Sequence, residues 1–484
     1  MPDPPPPTSH AGEPFQSGLA PKVGLFDATM LVMGGIVGAG IFINPYVVAR
    51  LVGTPGAILG AWALGGAIAL LGAFVYAELA ARMPEAGGQY AYLREAFHPA
   101  LAFLYGWVLL LVIQTGGMAA VAVTFAAYFL ELTGLQLAPS AVAALALGAL
   151  ALVNCLGVRA GSSLQSALMV LKIAAILALV AGGCWFLLEA GGGASPAAAA
   201  SLAGPSLPGL PPASGPAPWG LLAALATAMV PVLFAYGGWQ TASFVAEEVR
   251  EPRRNLPRAL VLGVSGVVVL YLAVNWVSVE VLGPEGLATT TTPASAVMER
   301  AFGRAGSRWI AVGIAVSTLG FLSQSILTAP RVYFAMARDG LFFRAVGRLT
   351  PRTRVPAVAI LLQGAMAIVI GLSGRYDQIL SYVVAMDFLF FGLTAACLFV
   401  FRRRERRGPS RRTEGAPGVP ATPGARVPGH PLTTALFVAA SFLVVANTLI
   451  RYPVNSGIGL AILAAGVPVY LGWSRLGGRA GRRA

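Results

Sequence analysis

The chain has 484 residues, 57% of them hydrophobic and 11% charged, with a formal net charge of +14. Soluble globular domains carry about 25% charged residues, so this composition excludes one and points to a chain that lives in a bilayer. A surplus of arginine also suits an acidic partner such as nucleic acid, but its placement along the chain has a plainer cause.

Crossing a hydrocarbon core of about 30 Å takes about 20 helical residues. Residues 1–23 are polar and proline-rich, without the apolar region of a signal peptide, and read as a disordered cytoplasmic tail. Five apolar stretches follow within 24–189, near 25–50, 56–81, 99–131, 138–158 and 163–189. Residues 190–218 are rich in Gly, Ala, Ser and Pro, hold no Lys or Arg, and read as an extracytoplasmic linker. Five more stretches lie within 219–401, near 219–246, 258–281, 305–337, 356–373 and 377–400. A basic loop, 402–431, precedes two last spans within 432–474, near 432–450 and 454–473, and a basic tail, 475–484. Stretches this long and rich in Leu, Ala and Val satisfy their backbone as helices, so the fold class is an all-α integral membrane protein with 12 transmembrane helices.

With a cytoplasmic N-terminus the arginine clusters at 250–258, 338–354, 402–426 and 475–483 all fall inside, and only scattered arginines such as Arg50, Arg375 and Arg451 fall outside. That is the positive-inside pattern, and it places both termini in the cytoplasm of a cell inner membrane.

Two spans are interrupted. The first contains GGIVGAGIFINP, with Gly34, Gly35, Gly38 and Gly40 within seven positions; the sixth contains Pro231 and the pair Gly237–Gly238. Glycine weakens a helix through the backbone freedom it loses. Small residues also let membrane helices approach closely, so packing is an alternative reading of Gly34 and Gly38. The matched position of the second interruption, five spans later, is instead the sign of two inverted halves with a ligand site between them. Broken helices expose N–H groups at one end and carbonyls at the other. The N–H groups of Gly38, Ala39 and Gly40 suit a carboxylate, and the carbonyls near Ile36, Phe234 and Ala235 suit an ammonium group. One ligand with both charges is an amino acid; other small anions or amines stay open.

These motifs resemble the amino acid–polyamine–organocation (APC) superfamily, and within it the L-type amino acid transporter branch. The likeness runs through GLFDATMLVMGGIVGAGIFINP, YAELAARMPEAGGQYAYLREAF, FAYGGWQTASFVAEEVREPRRNLPRAL and TAPRVYFAMARDGLF to the last span, nearly all of 24–473. It implies a five-plus-five inverted repeat with two additional helices, an APC fold working by alternating access. It also implies a carboxylate site at Gly38, Ala39 and Gly40, an amine site at Ile36, Phe234, Ala235 and Gly237, and Phe234 as an aromatic gate. Relatives often carry serine where Ala39 stands, so a hydroxyl contact is missing here. The loop ELTGLQLAPS between spans three and four lacks the cysteine through which eukaryotic light chains join a heavy subunit, so no disulfide-linked partner is expected.

Two charges lie near mid-membrane. Lys172 stands about 15 Å of helix rise from the cytoplasmic start of span five, and an ionisable group at that depth is a functional candidate by default. The resemblance implies that its ammonium occupies the place of a sodium ion in sodium-driven relatives and links span one to spans five and eight. Asp387 is the second, a candidate substrate or proton site. Thr115, Gln240, Thr241 and Ser323 are further candidate pocket residues. At the cytoplasmic end of span six, Glu247, Glu248, Arg250, Glu251 and Arg253 read first as a solvated helix end, with a salt-bridged gate as the alternative. GGQYAYLREAF reads as an interfacial amphipathic segment with tyrosines at headgroup level and Arg94 outward.

An enzyme is not indicated: His10, His98 and His430 are scattered, and no H-E-x-x-H or G-x-S-x-G occurs. Cys155, Cys184 and Cys397 have no metal-like spacing, so neither cofactor nor metal is expected. The reading is therefore a sodium-independent carrier of neutral amino acids, an exchanger or proton-coupled permease. Cationic amino acid or polyamine transport is the nearest alternative, and a channel-like or substrate-sensing protein the alternative of another class.

Overall fold

The computed structural model describes residues 22–189, 218–373, 376–406 and 425–480. The expectations of a disordered tail and of flexible linkers fall on residues 1–21, 190–217 and 407–424, outside the described residues. The chain enters span one as two helices, α1 (Leu25–Ile36) and α2 (Gly40–Val52). α2 stops at Gly53, whose φ of 70° supplies the left-handed cap. Pro55 then opens α3 (Pro55–Arg82), with the Thr54 hydroxyl accepting the Ala57 N–H.

The short α4 (Gln89–Ala96) precedes span three, which is α5 (Pro99–Val108), a π-turn (Leu109–Ile113) and α6 (Gln114–Thr133). Spans four and five are α7 (Pro139–Cys155) and α8 (Val158–Glu189). Span six is α9 (Pro218–Tyr236) followed by a 3-10 segment, Trp239–Glu248. Spans seven and eight are α10 (Pro252–Thr289), then α11 (Pro293–Thr328) and α12 (Pro330–Arg338). The last four spans are α13 (Ala357–Ser373), α14 (Tyr376–Arg406), α15 (Leu432–Arg451) and α16 (Pro453–Ala480).

Among the described residues, ten helices are long and apolar enough to cross a membrane. The other two spans, α7 and α13, are apolar helices of 17 residues, a rise of about 25 Å each. Spans five apart in the chain meet as pairs: α3 lies along α10, α6 against α11, α7 against α13, and span one against span six. Four such pairings suit an approximate two-fold between inverted halves.

Both interruptions are present, and each differs in detail from the sequence reading. In span one Val37 is extended, with ψ of 97°. In span six Pro231 sits inside a continuous α9, and the helix turns only at Gly238, with φ of 102°. The π-turn in span three carries no Gly or Pro signal; the Thr115 hydroxyl donates to the Leu110 carbonyl there at 2.6 Å, taking up an acceptor the widened turn releases.

Candidate functional site

The two breaks touch through backbone. A Cβ on Gly35 would stand 2.5 Å from the Gly238 carbonyl oxygen, and one on Gly238 would collide with the Gly35 carbonyl in return. A Cβ on Gly40 would stand 3.0 Å from Ala235 Cα, and one on Gly38 3.1 Å from the Phe321 ring. The close packing of these glycines is therefore present. Close approach is what brings the two sets of free helix ends to one place.

Around them lies a cavity. Ile36, Gly38, Ala39, Gly40, Phe234, Ala235 and Gly237 all line it, as does Asp387. Gln240 and Thr241 line it too, but Thr115 and Ser323 do not; Gln114 and Gln324 with Ser325 take those places. Both misses are errors of helical phase: one residue along a helix rotates a side chain by about 100°.

No backbone acceptor takes the N–H groups of Gly38, Ala39 and Gly40 among the described residues. The carbonyl side is different. The Tyr271 hydroxyl from α10 reaches the Ile36 oxygen at 3.2 Å and the Ala235 oxygen at 3.3 Å, so it ties the breaks together at the two acceptors read as an amine site. Each carbonyl has a second lone pair, and an ammonium group would share them with Tyr271. Phe234 O accepts the Gly237 N–H at 3.2 Å. Tyr271 escaped the sequence reading because span seven shows no interruption. Asn44, whose side-chain amide donates to the Pro231 carbonyl at 2.7 Å, is a third tie between the first and sixth spans.

Lys172 is buried and unites three spans. Its ammonium donates to the Val37 carbonyl at 2.5 Å and approaches the Gly34 carbonyl at 3.4 Å. Gly320 of α11 makes the room, since a Cβ there would stand 2.5 Å from Lys172 Cε. The free carbonyl end of α1 is the negative pole of a helix, which suits a cation.

Charges are paired on the side that the arginine pattern reads as cytoplasmic, and two expectations are corrected there. Glu248 and Arg331 are fully buried and joined by two hydrogen bonds, at 2.7 and 3.3 Å, and Glu247 accepts the Ala86 N–H at 3.0 Å. Only Arg250, Glu251 and Arg253 form the solvated helix end. Tyr90 and Tyr92 are likewise buried, not at headgroup level, because Gly87 and Gly88 let α4 dock on the 3-10 segment through the Gly87 N–H to Phe244 O bond. Tyr90 donates to Asp339 at 2.7 Å, and Arg94 bridges Asp339 and Glu85 at 2.5 and 2.9 Å. Burial lowers the Arg94 pKa, but the Asp339 hydrogen bond and both carboxylates more than offset it.

An all-helical inverted repeat whose two broken spans meet at a membrane-buried cavity is a membrane carrier. The chain belongs to the amino acid permease family, whose model matches residues 23–472. Relatives include the serine/threonine exchanger SteT of Bacillus subtilis, 29% identical over 95% of this chain and 98% of that protein. The human large neutral amino acids transporter small subunit 2 is 30% identical over 93% of this chain and 80% of its own length. The mouse b(0,+)-type amino acid transporter 1 is 29% identical over 82% and 79%.

Proposed function

We propose that this permease is a sodium-independent secondary transporter of neutral L-amino acids that works by alternating access, with both termini cytoplasmic. The observation that carries the reading is the pair of facing breaks: free N–H groups at Gly38–Gly40 for a carboxylate, and the Ile36 and Ala235 carbonyls across the cavity for an ammonium. Two similar relatives named for neutral amino acids, one matched almost end to end, support the substrate class. Phe234 is the gate in this reading, and residues 24–189 and 219–401 are the repeats.

Sodium independence rests on Lys172, whose ammonium already neutralises the carbonyl end of α1. The Glu248–Arg331 and Arg94–Asp339 pairs form the cytoplasmic gate, which inward opening has to part. No disulfide-linked heavy subunit is required. The test is a thermal-stability screen of purified protein against the twenty amino acids, followed by uptake in proteoliposomes with and without sodium. Ligands that bind the folded state raise Tm by mass action. A Tm response confined to cationic amino acids, or uptake that requires sodium, would overturn the reading.

A further inference from the structure

The backbone ends at the two breaks suit the carboxylate and the ammonium, the parts that every amino acid shares. The rest of the cavity wall meets the side chain. That wall is largely apolar, with Ile113, Val121, Leu233, Phe321, Val383 and Phe388. Some of its polar groups are spent within the protein: Gln324 Nε2 donates to Thr241 Oγ1 at 2.5 Å, and the Thr241 hydroxyl donates to the Gly238 carbonyl at 2.6 Å. Gln240 Oε1 and Ser325 Oγ have no partner, which adds neutral hydrogen-bonding capacity and no charge.

Asp387 stands apart from these. It is the one ionisable residue among the described residues that line the cavity, and its Oδ1 is shielded without a hydrogen-bond partner. Lys172, by contrast, is held by carbonyls of span one. Buried polar groups are as a rule paired, and a carboxyl left unpaired beside a ligand site finds its match in the ligand. Its Oδ2 lies 3.9 Å from where a Cβ on Gly237 would stand, beside the span-six break and two residues along the chain from Ala235. A donor that meets this oxygen from the amino acid site therefore belongs to a short side chain. The carboxyl turns with broad freedom about χ2, so either oxygen can be presented.

The chemistry of the group narrows the partner further. Ionised, a carboxyl only accepts; protonated, it donates from one oxygen and accepts at the other. A hydroxyl answers both forms with its one donor and two lone pairs, and a primary amide answers them with separate atoms. An ammonium or guanidinium carries donors alone and matches only the ionised form, which a membrane interior disfavours. An aliphatic side chain leaves the carboxyl buried and unpaired, so the desolvation cost stands in full.

We infer that Asp387 reads the substrate side chain, and that among neutral amino acids this carrier prefers those with a short hydroxyl or amide: serine, threonine and asparagine. The inference rests on the transport reading above and leaves its backbone site unchanged.

The test is isothermal titration of the purified full chain with threonine and valine, which share one shape and differ in the hydroxyl, and with serine and alanine. The native protein should bind threonine at least about tenfold more tightly than valine, the worth of one hydrogen bond to a group otherwise left unpaired. In Asp387→Val that ratio should fall to about one through weaker threonine binding, while a valine-induced rise in Tm reports a folded protein. Asp387→Asn keeps an acceptor and a donor and should give an intermediate ratio; it decides alone if the valine variant does not fold. A native ratio near one would overturn the inference, as would an unchanged ratio in either folded variant. Equal loss of threonine and valine in Asp387→Asn would overturn it by placing the carboxyl on the shared ammonium, and tighter binding of lysine than of threonine by assigning it to a cationic side chain. Failure of every neutral amino acid to bind the native protein would instead overturn the transport reading itself.

Discussion

The face read as cytoplasmic from the arginine pattern and the membrane core handle charge in opposite ways. At the face, the buried Glu78 carboxylate accepts from Arg82, from Arg402 and from the Val427 N–H, at 2.5 to 3.0 Å, and Glu248 is matched by Arg331. In the core, Lys172 meets only carbonyls, and Asp387 leaves an oxygen bare. Fully paired charges hold one arrangement, because parting them exposes a buried ion. Sparsely paired ones can bind and release a ligand or a proton at small cost. In the transport reading proposed above, the difference separates the part that locks from the part that loads.

The strongest way to break the comparison is Arg331→Met, which leaves Glu248 buried and alone. It should lose about 3–5 kcal/mol of stability, read as a large fall in Tm in detergent, and adding Glu248→Gln should recover part of it. Next comes Lys172→Ala, which should slow proteoliposome uptake by at least about 100-fold, equivalent to about 2.7 kcal/mol, with Tm still measurable; unchanged uptake would remove Lys172 from the mechanism. Tyr271→Phe takes the shared donor from the Ile36 and Ala235 carbonyls. It should cost about 1–2 kcal/mol of stability and alter substrate affinity by isothermal titration, whereas an unaltered affinity would place the amine elsewhere. The smallest effect belongs to Arg94→Gln. Arg94 and Asp339 are each 28% exposed, so the loss should stay below about 1 kcal/mol and shrink with added salt, and it should show mainly as faster inward opening of a cysteine-labelled gate.

Much was legible in the sequence. Twelve apolar stretches, the glycine clusters at 34–40 and 237–238, and the lone lysine in span five are local signals, and each named its own place in the fold. The Gly35–Gly238 approach and the reach of Lys172 to span one follow once those places are paired. Signals without a local mark were lost. Tyr271 sits in an uninterrupted span, the π-turn at 109–113 has no breaker residue, and Glu248 reads like its solvated neighbours Arg250 and Glu251.

Hydropathy and glycine placement alone determined that this chain is a helical membrane protein with two matched breaks, because a bilayer demands internally bonded helices and punishes every exception. Which side chains face the breaks was decided only by tertiary structure. A helix turns by about 100° per residue, so Ser323 and Ser325 differ by two positions and point to different surroundings. Only the packing of α11 on α6 and α8 chose which of them the cavity would meet.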